Sequence, residues 1–172
     1  KDKKRPLIYL SGFERYDADG VEVFEKMKEI CAEYGYEAIS PLDHAPGVMD
    51  TDSDNPYMKA MNLFDRFQQH VRNCDIIIAN LNDYRGYEIN NDVAFECGMG
   101  FELGKKLYGY MDNTDKLTNR IPSLGADREY RDQTGSNVED FDYPANLMFG
   151  SSMKIFEGKF ESIIKKVIED IS

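Results

Sequence analysis

The stretch DIIIANL, Asp75 to Leu81, constrains the fold more than any other part of this chain. Its apolar residues run consecutively instead of alternating with polar ones. A strand with no polar face belongs inside a sheet, covered on both sides, and such strands are typical of parallel sheets flanked by helices. The neighbouring segments must then supply those helices and the other strands.

They do so in alternation. PLIYLSG predicts a strand over residues 6 to 12. A helix follows in DGVEVFEKMKEICAEYG, with Val21, Phe24, Met27, Cys31 and Tyr34 at helical spacing and Gly35 as its stop. YEAIS reads as a second strand, closed by Pro41. A polar loop then leads to a helix over Tyr57 to Asn73 with the stripe Met58, Met61, Phe64, Phe67, Val71. After DIIIANL come a helix from Asn91 to Gly104, the strand KLYGYM, a long polar loop over 112–143, the strand SMKIF and a closing amphipathic helix. The order predicts an α/β fold, a doubly wound parallel sheet of about five strands with helices on both faces. At 172 residues the chain is read as one domain, 1–172, with residues 1–5 as a flexible leader.

Composition removes several classes of function. A formal net charge of −11, with no basic stripe, disfavours binding to a nucleic-acid polymer. No apolar run approaches the roughly 18 residues of a membrane span. Cys31, Cys74 and Cys97 are odd in number and sit in apolar segments, which suits reduced core residues in a cytoplasmic protein. With only His44 and His70 and no paired ligand spacing, neither a metal site nor a cofactor is expected.

In a parallel α/β sheet, ligands sit at the carboxyl ends of the strands, here the loops 11–18, 42–55 and 82–92. The first of these, SGFERYDADG, lacks GxGxxG, and neither GxxxxGK[ST] nor GxSxG occurs. A dinucleotide fold is therefore disfavoured, and P-loop and serine-hydrolase chemistries drop out. What remains is RGYEINNDVAFECGMGFELGKK, residues 85 to 106. Helical spacing puts Asp92 and Glu96 one turn apart on one face, and Gly98, Gly100 and Gly104 leave room for close approach. A glutamate there can attack an anomeric carbon and trap an oxocarbenium-like centre as an ester. It can equally be a solvent-facing helix former, with Asn90 and Asn91 as helix caps and Tyr9 as an ordinary core tyrosine. The residues alone leave both readings open.

The segment NCDIIIANLNDYRGYEINNDVAFECGMGFELGKKL, together with IYLSG and PANLMF, resembles the nucleoside 2-deoxyribosyltransferase family. The resemblance runs in order over most of the chain, and it implies a flavodoxin-like sheet. It also implies that Glu96 is the nucleophile and Tyr9 the residue that orients it. Asn146 would reach the sugar-hydroxyl end of a neighbouring subunit's site, with Met148 beside it as an apolar wall. Gly12 and Phe13 would lie where the first loop meets the base. The sequence departs from the family motif at three places: Asn90 replaces an aspartate, Asp92-Val93 replaces GT, and Phe67 replaces an Asp or Asn on the preceding helix. Asn90 can bond a sugar hydroxyl but cannot take a proton, and Asp92, one turn from Glu96, is the candidate to compensate.

The implied activity is base exchange on a 2′-deoxynucleoside through a deoxyribosyl-glutamate intermediate. Its partners would be the deoxynucleoside and a free purine or pyrimidine base, and the enzyme a homo-oligomer with shared sites, active in nucleotide salvage. The alternatives are a hydrolase of deoxynucleosides or their 5′-monophosphates, for which Arg15 and Ser151-Ser152 are the phosphate candidates, and a non-catalytic nucleoside-binding module.

Overall fold

The computed structural model describes residues 4–49, 52–125 and 130–172. Five strands, β1 (Ile8–Ser11), β2 (Ala38–Ile39), β3 (Ile76–Asn80), β4 (Lys106–Met111) and β5 (Lys154–Glu157), form one all-parallel sheet in the order β2-β1-β3-β4-β5. This is the flavodoxin-like order, with its topological switch between β1 and β3. All five residues of β3 are buried, as its uninterrupted apolar run requires.

Alternation along the strands sorts the core into two layers. Ile8, Leu10, Ile76, Ile78, Tyr108 and Tyr110 face α1 (Gly20–Glu33) and a closing helix, α6 (Phe160–Ile171). Tyr9, Ile77, Ala79, Leu107 and Met111 face α2 (Pro56–Asn73) and α3 (Asn91–Glu102). Cys31 belongs to the first layer, Cys74 and Cys97 to the second, all three as buried free thiols. Burial pushes the Cys31 and Cys74 thiols up to about 12, so they stay protonated at neutral pH.

Several expectations need adjustment. YEAIS pairs through only Ala38 and Ile39, and the stripe on α2 is largely exposed at Met58, Met61 and Phe64. Length explains α2: 18 residues make a helix of about 27 Å, whereas five residues of β3 span about 17 Å. The amino-terminal half of α2 therefore overhangs the carboxyl edge of the sheet, and burial is confined to His70 and Val71 near its other end. The polar 112–143 segment contains a short α4 (Leu117–Arg120) and two isolated bridges, Ser123–Asp132 and Arg131–Asn137. Arg120 ties it down, bonding Asp83 at 3.0 Å and the carbonyls of Asp115 and Pro144. A short α5 (Leu147–Ser152) precedes β5.

Of the expected leader, residues 1–3 lie outside the described residues, while Arg5 donates to the carbonyls of Tyr34 and Gly35 at 2.8 and 3.0 Å. Among the described residues no helix is long and apolar enough to cross a membrane.

Candidate active site

The site is built where β1 and β3 diverge. The two-residue period of β1 turns Tyr9 and Ser11 to the same face, and both reach Glu96. The Tyr9 hydroxyl donates to Glu96 Oε2 in a short hydrogen bond, and Ser11 Oγ donates to Oε1 at 3.1 Å. Glu96 itself is only 5% exposed, so the solvent-facing reading of this residue fails. Burial raises its pKa to about 7, against the opposing pull of the two hydroxyl donors; Asp92 adds to the rise and Arg15 counters it.

Asn90 fixes the start of α3. Its Oδ1 accepts from the backbone N–H groups of Asp92 and Val93 at 2.9 and 3.3 Å, an N-cap that sets the helix axis and hence the aim of Glu96. Gly98, Gly100 and Gly104 differ in their surroundings. A Cβ on Gly100 would come within 2.5 Å of Ile77 Cδ1, so this glycine permits helix-on-sheet packing. Gly98 faces open space, and Gly104, at φ +73°, ends the helix in a left-handed turn.

Asp92 does not point at Glu96's donors but at the first loop. Its Oδ2 accepts from Arg15 Nε at 3.0 Å and Nη2 at 2.9 Å, and from the Tyr16 hydroxyl at 2.9 Å. The guanidinium lies 4.0 Å from the Tyr16 ring centroid and 5.0 Å from that of Phe67. Tyr84 packs against both Phe13, at 5.0 Å, and Tyr16, at 5.8 Å. Beside this cluster opens a cavity of about 370 Å³ lined by Tyr16, Tyr84, Glu88, Asn90 and Asp92 among others.

Behind the site, the His70 ring stacks on Tyr9 at 5.6 Å, and its Nε2–H donates to the Asp43 carbonyl at 2.8 Å. Burial holds its pKa below the usual histidine range, so the ring is neutral. Gly12 is explained by Glu14, whose buried carboxyl accepts from Asn80 Nδ2 at 2.8 Å and lies across the glycine where a Cβ would stand.

Tyr9, Glu96, Asp92 and Asn90 are thus brought together, with Phe13 at the rim. Asn146 and Met148 are not. Around α3, Glu96 and Asp92 stand about 40° apart, while Ala94, Gly98 and Phe101 fall on the opposite flank. Asn146 and Met148 line a groove of about 570 Å³ with these latter residues. Asn146 caps α5 and donates to Glu139 at 3.0 Å. Ser11, Tyr16, Tyr84 and His70 are members of the site or its support that sequence reading left unassigned. Ser11 was within reach, two residues beyond Tyr9 on the same strand; the others carry no local signal.

The family profile described as nucleoside 2-deoxyribosyltransferase matches residues 8–148, nearly from the first strand to α5. The chain belongs to the nucleoside 2-deoxyribosyltransferase family. Members of this family are pentosyltransferases that handle nucleosides and bases. Among solved structures, a 2-deoxyribosyltransferase from Leishmania mexicana is similar with a TM-score of 0.71 and 25% identity, covering 96% of this chain and 98% of that one. A 2-deoxyribosyltransferase from Bacillus psychrosaccharolyticus shares the fold, with a TM-score of 0.54, 17% identity and coverage of 91% and 89%. An uncharacterised Schizosaccharomyces pombe protein is 26% identical over 131 residues, 76% of this chain; the matched region spans 58% of that protein.

Proposed function

We propose that this chain transfers the deoxyribosyl group of a 2′-deoxynucleoside to an acceptor base, with Glu96 as the nucleophile. The observation that carries the reading is the buried Glu96 carboxyl clasped by Tyr9 and Ser11 at the β1/β3 crevice. In the first step a Glu96 carboxylate oxygen forms an ester bond to C1′. The C1′–N bond breaks, and the base leaves with the electron pair and takes up a proton. In the second step a nitrogen of the acceptor base attacks C1′ from the opposite face and gives up its proton, balancing the one taken up by the leaving base, and Glu96 departs as carboxylate. Two inversions retain configuration. Tyr9 holds Oε2 and Ser11 holds Oε1, so both donors fix the carboxylate's orientation toward the substrate.

The absence of a 2′-hydroxyl eases formation of the oxocarbenium-like state, so ribonucleosides react far more slowly. Asn90, with its Oδ1 engaged in capping, offers Nδ2 to a sugar hydroxyl, and Gly12 and Phe13 border the base. Because Asn146 and Met148 sit on the far flank of α3, they serve the site of an adjacent copy in a homo-oligomer.

The test is product analysis. With a deoxynucleoside and a second base, the wild-type chain yields a new deoxynucleoside, and Glu96→Ala yields none while melting like the wild type. Free deoxyribose in place of the new nucleoside would assign hydrolysis instead. Undiminished exchange by Glu96→Ala would remove Glu96 from the mechanism.

A further inference from the structure

Two residues of α2 are buried, Val71 and His70, and the second of them is polar and only 1% exposed. Its Nε2–H donates to the Asp43 carbonyl at 2.8 Å, while Nδ1 is buried without a hydrogen-bond partner among the described residues. A buried acceptor left unpaired is a standing penalty that an aliphatic side chain would avoid. The chemistry proposed for the site uses neither nitrogen, so the imidazole needs another account.

Its contacts supply one. The ring stacks on that of Tyr9, with centroids 5.6 Å and planes 26° apart, inside the favourable range for an aromatic pair. The hydroxyl at the tip of Tyr9 donates to Glu96 Oε2. A displacement of the phenol along its ring normal would lengthen that bond, and His70 covers one of the two faces. The imidazole is itself held at Nε2 by a braced turn. The Asp43 carboxylate accepts from Lys28 Nζ at 2.8 and 3.1 Å, and from the Ser40 N–H at 2.8 Å. A continuous set of contacts thus runs from α1, through the turn after β2, α2 and β1, to Glu96 on α3. Asp43, Arg66 and His44 act electrostatically on the ring, and burial keeps it neutral. A shifted acid limb therefore reports on Glu96.

We propose that His70 is a positioning residue for the transfer: tethered to the Asp43 carbonyl, its ring holds the Tyr9 phenol in line with Glu96 and so fixes the aim of the nucleophile. The inference rests on Glu96 being the group that meets C1′. It gives His70 no contact with substrate, so its influence passes entirely through the Tyr9 hydroxyl.

Two variants of the full chain separate ring from tether. His70→Gln keeps a donor for the Asp43 carbonyl and removes the ring, whereas His70→Phe keeps a ring and removes the donor. Each is followed by base exchange from pH 5 to 10 and, without substrate, by 13C NMR titration of the Glu96 carboxyl. His70→Gln is expected to lower kcat at pH 7 by about fivefold or more, with KM changed by less than about twofold. Its Glu96 titration moves upward by about half a pH unit or more, and His70→Phe recovers most of both effects. In a Tyr9→Phe background His70→Gln changes kcat by less than about twofold, because the hydroxyl it acts through is gone. Unchanged kcat and titration in His70→Gln, or the full loss repeated in the Tyr9→Phe background, overturns the positioning role. If His70→Gln does not melt cooperatively, His70→Phe decides: its Glu96 titration must lie between those of wild type and Tyr9→Phe, and a wild-type value overturns the idea. Wild-type protein without base exchange, but with the titration moved as stated, counts against the transferase reading and leaves the positioning of Glu96 standing. No exchange and no movement overturns both.

Discussion

Tyr9→Phe isolates the contribution of one hydroxyl to the reactivity of Glu96. Tyr9 is fully buried and donates to Glu96 Oε2, and Phe keeps the ring, its stack on His70 and nearly all of its volume. A hydrogen bond to a charged acceptor is worth about 1.5–3 kcal/mol, and 1.36 kcal/mol corresponds to one pH unit of titration. The Tyr9 bond favours the ionised carboxylate, so its loss moves the Glu96 pKa upward, from about 7 to about 8–9. At pH 7 roughly half of the wild-type carboxyls are ionised, against about 1–10% in the variant, so exchange at pH 7 falls about 5- to 50-fold from ionisation alone. The deficit shrinks as pH rises toward 9.5. The assay is base exchange followed chromatographically from pH 5 to 10, paired with 13C NMR of the Glu96 carboxyl. Ser11→Ala is the internal comparison: its contact is longer, at 3.1 Å, and its removal moves the acid limb in the same direction by less. An acid limb unmoved in Tyr9→Phe, with turnover lowered equally at every pH, would show that Tyr9 acts on geometry alone and that the electrostatic account is wrong.

Two further outcomes follow from the same structure. Since the folded pKa of Glu96 lies above its ordinary 4.5, the native state binds more protons across that window, and wild-type stability falls as pH rises from about 4.5 to 7. Relative to Glu96→Gln, the loss is on the order of 3 kcal/mol, read from urea unfolding at pH 4.5 and 8; parallel curves for the two proteins would refute it. Gly100→Ala, whose Cβ would meet Ile77 Cδ1 at 2.5 Å, should cost about 1–3 kcal/mol. Gly98→Ala, facing open space, should be neutral or stabilising by up to about 1 kcal/mol; equal thermal melts for the two variants would contradict this assignment.

The architecture was legible because its governing signal is local. An unbroken apolar β3 demands cover on both faces, and Phe24, Cys31, Phe160 and Val167 on one side, with Val71, Val93 and Cys97 on the other, provide it. The cap at Asn90 and the shared face of Tyr9 and Ser11 follow from residue type and strand period. The exposed stripe of α2 was not legible as exposed, because periodicity reports that a helix has an apolar face and not how far it extends past the sheet. Nor could α5 be foreseen, since six residues give too short a window for a period. The pairing of Arg15 with Asp92 joins residues 77 positions apart, and it depends on how β1 and α3 are placed by the whole sheet. In sequence Arg15 is an ordinary loop cation.

The balance at Glu96 joins these levels into one functional consequence. A carboxylate exposed at a loop would be ionised but weakly basic, whereas one buried without donors would be neutral at physiological pH and unable to attack. The fold holds Glu96 between these limits. The sheet and α3 exclude water and raise its pKa, while β1 brings two hydroxyl donors that stabilise the charge. Arg15 adds positive charge from the first loop, but the effect of the Asp92 carboxylate paired with it is the larger of the two. On the mechanism we propose, a pKa near 7 leaves about half of the Glu96 carboxyls ionised at neutral pH, each more basic than a free glutamate. That compromise requires the strand to end in Tyr-x-Ser and the helix to be capped at Asn90, because shifting either by one residue would turn the donors, or the carboxylate, to the wrong face.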